Sequence, residues 1–420
     1  MKYFKIILFI IITHSSLYSQ WIPQSVPVDK PIVGLEFVDR NTGWAVTRNY
    51  SLTDTSYILA TTNGGTNWVI QYRANNVSLY SMDALDNNIC YAGGSDVDGN
   101  SIIYKTINSG LNWIPNLIGP NRVADDMFFV NADSGYICDA LAPSVYTTTD
   151  GGASWVQRPH PVQSPKVLFF FNYDTGYCGG DKKIFKTNNS GLNWFELFDF
   201  AIFNNRNITG IQFLSNTKGW TSLTNNAVAF TVNGGTNWSI SNPSILNLGD
   251  IFNVFFLDDL YGWSGSQSAG YIFKTTTGGF NWIIQNDTSG SRTLFFTNTI
   301  KGWSGYIGIS KTTNGGVTFI REINTEIPNT FKLNQNFPNP FNPNTKIRFT
   351  IIKNSEVTIS VYNILGKEVF NYKSDGNLNA GIYEYEFIPD NLSSGVYIYK
   401  LTAKSDGNVF SDSKKMIYLK

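Results

Sequence analysis

One two-part motif recurs along the 420 residues and leaves few folds open to the chain. Its second half reads TTNGGTNW at 61–68, then KTINSGLNW (105–113), TTTDGGASW (147–155), KTNNSGLNW (186–194), FTVNGGTNW (230–238), KTTTGGFNW (274–282) and KTTNGGVTF (311–319). The closing aromatics are Trp68, Trp113, Trp155, Trp194, Trp238, Trp282 and Phe319, at successive gaps of 45, 42, 39, 44, 44 and 37 residues. The first half reads FVDRNTGW (37–44), FVNADSGY (129–136), FFNYDTGY (170–177), FLSNTKGW (213–220), FLDDLYGW (256–263) and FTNTIKGW (296–303), with a worn copy, ALDNNICY, at 84–91. A fixed period of this length marks a stack of repeated units, none of which buries its apolar surface alone.

Each unit breaks into four short apolar runs, such as VLFFF (167–171), GYCGG (176–180), KIFKT (183–187) and WFELF (194–198). No long stretch shows a helical apolar period. Four strands per repeat predict an all-β chain built around a seven-bladed β-propeller. The second half of the motif, the box, is then the turn between third and fourth strands. Its glycines supply positive φ and its Asn or Asp side chain bonds the turn backbone. Just before the first repeat, Gln20-Trp21-Ile22-Pro23-Gln24 reads like a fourth strand with no blade ahead of it. That predicts that the N-terminus closes the ring by pairing into the last blade.

These boxes resemble the Asp-box (BNR-like) repeat, [ST]-x-D-x-G-x-x-W, of sialidase-like propellers. Their pairing with an upstream G-W motif is closer to the propeller of photosystem II assembly factors. Only Asp150 keeps the aspartate; Asn63, Asn108, Asn189, Asn233, Asn314 and Thr277 replace it. The resemblance implies structural boxes and a propeller over 20–326.

The rhythm changes after Phe319. A Pro/Asn-rich stretch at 327–344 reads as a linker and the start of a further domain, and strand-like runs over 345–420 read as an immunoglobulin-like β-sandwich. NFPNPFNPNTKIRFTI, VTISVYNILGKEV, LNAGIYEYEF, LSSGVYIYKL and the terminal KKMIYLK resemble the type A sorting domain of the type IX secretion system of Bacteroidota-type bacteria. The resemblance implies a folded address tag read by the outer-membrane secretion machinery, with Lys414, Lys415, Met416 and Lys420 in its terminal signal. The N-terminal MKYFKIILFIIITHSSLYSQW fits the same destination. A basic start, an apolar run from Ile6 to Ile12 and small polar residues make 1–19 a signal peptide cleaved near Ser19. The apolar run is shorter than the ~20 residues that span a bilayer, so the mature form is expected not to cross the membrane. The protein is expected to be secreted or held at the cell surface.

Net charge is zero, which gives no bias toward nucleic acid. Cys90, Cys138 and Cys178 fall on second strands, with Cys138 facing opposite to the others, so three buried thiols and no bridge are expected. One histidine, His160, remains after the signal, which argues against a His-based metal site or triad. Asp96-Val97-Asp98-Gly99-Asn100 has its glycine misplaced for a calcium loop and reads as a plain turn. No cofactor or metal is expected. Asp54, Asp125, Asp126, Asp250 and Asp287 lie in loops and keep a glycosidase alternative open, since glycosidases need two carboxylates. The favoured reading is a non-catalytic binding module for an extracellular glycan or protein; a structural envelope component is the third alternative. Ligand contacts are expected on the variable-loop face, where Arg48, Arg73, Arg122, Arg158, Arg206 and Arg292 are candidates for an anionic group.

Overall fold

The computed structural model describes residues 21–420 apart from 52–53, 121–123, 140, 243–248, 267–269, 287–289, 314, 317–319, 325–327, 343, 388, 390–391, 406 and 420. At 120, 286, 320–324 and 375–376 only the backbone is described. Two compact units divide at Gly316 and Val317. The larger holds seven four-stranded antiparallel sheets and the smaller holds two. Among the described residues, helix is limited to one 3-10 turn at Phe200–Ile202.

The seven sheets are the blades. Blades 1 to 6 each take four consecutive strands, as in blade 4: Val167–Phe170, Gly176–Gly180, Lys183–Thr187 and Phe195–Asp199. Blade 7 takes Thr293–Phe296, Gly302–Gly305 and Ile309–Thr312, and its fourth strand is Ile22–Gln24. The register is Ile22 opposite Lys311, Pro23 opposite Ser310 and Gln24 opposite Ile309. The N-terminal segment therefore completes the last blade, as its sequence predicts. Pro23 lacks an N–H, which suits an outermost strand and blunts that edge.

Seven apolar clusters fill the seven interfaces between neighbouring blades. A repeated aromatic arrangement organises them. In six of the seven blades the phenylalanine ending the first strand stacks on the G-W aromatic of the preceding blade, as in Phe37 on Trp303, Phe129 on Tyr91 and Phe170 on Tyr136, all with centroids 3.6 Å apart. The same ring receives the box tryptophan of its own blade edge-on, Trp68 against Phe37 at 5.9 Å and Trp194 against Phe170 at 6.2 Å. The glycine of G-W makes room for this ring. A Cβ on Gly262 would lie 2.4 Å from Phe256, and one on Gly176 would lie 2.2 Å from Phe170. The worn copy in blade 2 follows the same logic: Ala84 replaces the phenylalanine, and opposite it Cys90 replaces the glycine.

The boxes are built as expected. Asn63 Oδ1 accepts from Asn67 N at 2.9 Å while Thr61 Oγ1 accepts from Gly65 N at 2.9 Å. The same pair of bonds recurs around Asn108, Asp150, Asn189 and Asn233. At Thr277 a hydroxyl does the work of the amide, accepting from Asn281 N at 3.0 Å. The first carbonyl of the glycine pair also ties blades together, accepting from the G-W indole of the preceding blade. Trp303 Nε1 bonds Gly64 O at 3.1 Å and Trp220 Nε1 bonds Gly278 O at 2.9 Å.

The repeat departs from expectation at its last copy. Ile320–Asn324, which the spacing places in blade 7, pairs with Gly381–Phe387 of the smaller unit, so the propeller ends before the expected 326. The slot beside Ile309–Thr312 is already filled by Ile22–Gln24. Phe319 lies outside the described residues, and its expected place is taken by Trp21. Trp21 is fully buried, edge-on to Phe296 at 5.7 Å.

The smaller unit is a sandwich with sheets of Ile320–Asn324, Gly381–Phe387, Thr345–Ile351 and Lys332–Leu333, and of Glu368–Leu378, Ser355–Asn363, Gly395–Ser405 and Asn408–Tyr418. Ile347, Phe349, Val357, Ile359, Tyr385 and Leu401 share its core. The Pro/Asn-rich stretch is part of this sandwich rather than a free linker. Asn336 is buried, its Nδ2 donating to Thr345 Oγ1 at 2.9 Å and its N–H to the Tyr399 hydroxyl at 2.8 Å, and Phe341 lies in the core.

Candidate functional site

The first strand of every blade lines a central cavity of about 880 Å³. These strands run from the variable-loop end toward the box end, so residues of like register form rings. The ring nearest the box end lies opposite the G-W aromatics and comprises Glu36, Asp83, Phe128, Phe169, Gln212, Phe255 and Phe295. Phe128 meets Phe169 at 5.5 Å and Phe255 meets Phe295 at 5.2 Å, which narrows this end with aromatic rings.

The polar members of the inner strands clasp neighbouring blades. Glu36 Oε2 accepts from Ala84 N at 2.7 Å, Asp83 accepts from Phe129 N, and Asp126 Oδ2 accepts from Leu168 N at 2.8 Å. Gln212 both accepts from Phe256 N at 2.6 Å and donates to Phe256 O at 3.0 Å. Burial raises the acidic groups: Glu36 well above the carboxylate range, helped by Asp83, Asp83 to about 7 and Asp126 to about 8. The backbone N–H groups oppose the shift without cancelling it.

Charge of the other sign gathers at the variable-loop end. Arg48, Lys166 and Arg292 line the cavity there beside Asp125 and Asp250. The Arg48 guanidinium lies 4.8 Å from the Tyr80 ring centre and 5.7 Å from that of Tyr50, and its buried Nε has no hydrogen-bond partner among the described residues. Arg292 lies 5.3 Å from the Phe252 ring centre. Burial and the nearby Arg48 charge lower the Arg292 pKa, while Asp125 opposes them. Asp125 is itself raised by burial, against the pull of Lys166, Arg292 and Arg48. Tyr50, largely exposed, stands at the same mouth; partial desolvation of its hydroxyl and the bond to Tyr306 raise its pKa.

The other sequence candidates scatter. Arg73 lies on the outer strand of blade 1, 5.3 Å from the Tyr57 ring centre, and Arg158 on the outer strand of blade 3. Arg206 is buried and donates to the carbonyls of Thr224 at 3.0 Å and of Asn225, holding a loop. Arg122 and Asp287 lie outside the described residues. Asp54 pairs with Lys30, and Asp250 Oδ1 accepts from Asn225 N at 2.9 Å. His160 is buried between Phe185 and Trp194; its Nδ1 accepts from Val162 N at 3.1 Å, and burial lowers its pKa to about 4. Asp96 Oδ1 accepts from Asp98 N at 3.0 Å and Asn100 N at 2.8 Å, a local turn. The three cysteines are buried and free, Cys138 and Cys178 in one cluster between blades 3 and 4 and Cys90 between blades 1 and 2.

Sequence reasoning did not single out Lys166, Glu36, Asp83 or Tyr80. A usable signal existed for two of them: an acidic residue just before, or at, the end of a first strand where most copies carry phenylalanine.

Comparison with family models and solved structures bears on both units. Residues 335–418 match the family described as secretion system C-terminal sorting domain. The C-terminal unit is a secretion-system sorting domain. It implies export through the type IX machinery to the cell surface. In this sorting domain Met416 is fully buried and contributes to the core; Lys414, half-buried, shares that face of the last strand opposite Tyr399, and Lys415 stands exposed on the other face; Lys420 lies outside the described residues. Among solved structures, YCF48 bound to D1 peptide is similar at 16% identity and TM-score 0.57, covering 72% of this chain and 97% of that one. YCF48 from Cyanidioschyzon merolae is similar at 15% identity and TM-score 0.55, covering 70% and 98%. A GH74 enzyme from Niastella koreensis is similar at 11% identity and TM-score 0.55, covering 93% and 74%. At these identities the likeness concerns the fold. No curated sequence matches the chain. Among the described residues no helix is long and apolar enough to cross a membrane.

Proposed function

We propose that the exported propeller is a non-catalytic surface binding protein that receives an anionic group of an extracellular ligand at the variable-loop mouth of its channel. The observation that carries this reading is Arg48, a guanidinium flanked by tyrosine rings at that mouth whose buried Nε has no partner among the described residues. An ionised carboxylate or sulfate accepts forked hydrogen bonds from arginine. Arg292 and Lys166 add charge at the same rim, and aromatic faces beside them suit sugar or peptide groups. The lumen carboxylates support a non-catalytic reading because Glu36, Asp83 and Asp126 are already acceptors for backbone N–H groups of the next blade. Sorting-domain signalling by Lys414 and Lys415 belongs to the same proposal: Lys415→Ala, on the exposed face of the last strand, leaves the core intact and reduces surface delivery, and Lys414→Ala reduces it further.

The experiment is an array of acidic and neutral polysaccharides, read at low and high salt, with a parallel hydrolysis screen on arylated sugars. Binding confined to acidic members and weakened by salt supports the proposal. Hydrolysis abolished by Asp126→Asn would replace it with the glycosidase alternative.

A further inference from the structure

The seventh box has lost its strand to another sheet. In blade 6, Lys274 lies opposite Ile283, Phe273 opposite Ile284 and Ile272 opposite Gln285. Read in the same register, the seventh box would set Lys311 opposite Ile320. Instead Lys311 lies opposite Ile22, and Ile320 lies opposite Tyr385. The turn itself is still built for a hairpin: Gly316 N donates to Thr312 Oγ1 at 2.8 Å, and Gly315 and Gly316 have φ of 71° and 67°. Two segments of one chain thus fit one slot, Ile22–Gln24 from outside and Ile320–Asn324 by the local turn. The second also serves as the edge strand of the sandwich sheet.

We propose that these two segments compete for the outer slot of blade 7, so that the sandwich sheet gains its edge strand only when the N-terminal strand is seated. The chemistry of the slot favours the N-terminal occupant. Trp21 Nε1 donates to Gln285 Oε1 at 3.0 Å, and Gln285 Nε2 donates to Gly315 O at 2.9 Å, all in a buried setting. Phenylalanine at 319 has no N–H to offer, so its arrival would leave Gln285 Oε1 short of that donor. When the N-terminal strand is absent, the local hairpin closes at small entropic cost because only a short turn separates its strands. Ile320–Asn324 is then drawn from Gly381–Phe387, whose backbone becomes a bare edge. Ring closure in the propeller and completion of the sorting domain become one linked equilibrium.

Cysteine pairs in the full chain read the two states. Asn324→Cys/Ile382→Cys reports the seated state, since these residues are cross-strand partners. Lys311→Cys/Ile320→Cys reports the exchanged one. Cross-strand neighbours are close enough to form a disulfide. Under mild oxidation the unaltered N-terminus should give the 324–382 link. Trp21→Ala, or deletion of 21–24, should shift the yield toward 311–320 by about tenfold or more. An added QWIPQ peptide should reverse the shift. Retention of the 324–382 link at its full yield in the deleted chain would overturn the proposal. So would loss of both links, because a chain that forms neither pairing has not exchanged strands.

Discussion

The two ends of the propeller obey different rules. At the box end, six of seven blade interfaces use the same stacked ring pair, the same glycine and largely the same turn bonds. At the loop end no such register-matched set recurs from blade to blade, and Arg48, Lys166, Asp125 and Arg292 meet there without any repeat requiring them. Uniformity at one end reflects a packing problem solved repeatedly. Variety at the other leaves residues whose positions packing does not explain, which is where binding is sought.

The largest effect should come from breaking the uniform end. Trp303 is fully buried, stacks on Phe37 and bonds Gly64 O. Trp303→Ala should cost about 3–5 kcal/mol in denaturant unfolding, and less than about 1 kcal/mol would contradict the ring-to-ring packing. Next, Gly262→Ala places a methyl group against Phe256 and should cost about 1–3 kcal/mol by overpacking. The worn blade sharpens the comparison further. Trp194 has Phe170 as an edge partner, whereas Trp113 has Ala84 at that position. Trp113→Ala should therefore cost about 0.5–1.5 kcal/mol less than Trp194→Ala.

A smaller, pH-dependent effect separates the lumen acids from the rest. Asp83 and Asp126 hold their protons to about 7 and about 8 in the folded protein, whereas unfolded aspartates ionise near ~3.9. Folding therefore favours their protonated forms. Their contribution is full below the unfolded value and is lost as pH rises through the folded values. His160 has the opposite sign: its folded pKa of about 4 lies below the unfolded ~6.5, so its contribution is lost as pH falls through that window. Asp126→Asn keeps an acceptor for Leu168 N and should flatten the alkaline limb of a melting-temperature profile. An unchanged limb would mean the carboxyl is ionised throughout.

Most of the fold was legible because it is periodic. Box spacing gave the blade number, and the match between Trp21-Ile22 and Trp282-Ile283 gave the closing strand. The end of the propeller was not legible, because the seventh box at 311–319 keeps its hairpin signature although its strand pairs elsewhere. The site was legible only in part. Arg48 and Arg292 follow from loop position, but Arg73, Arg158 and Arg206 occupy variable stretches too, and spacing cannot say which side chains turn inward. Lys166 was missed because one lysine before a strand carries no pattern.

The division of labour between the two ends is tested most directly by one double variant, Arg48→Ala/Arg292→Ala, measured for both thermal unfolding and binding of an acidic polysaccharide at two salt concentrations. Neither arginine takes part in the repeated ring packing, so melting should stay near that of the parent while salt-sensitive binding is lost. Binding that persists unchanged and indifferent to salt would contradict the account, as would a collapse in melting temperature, which would return both residues to the scaffold.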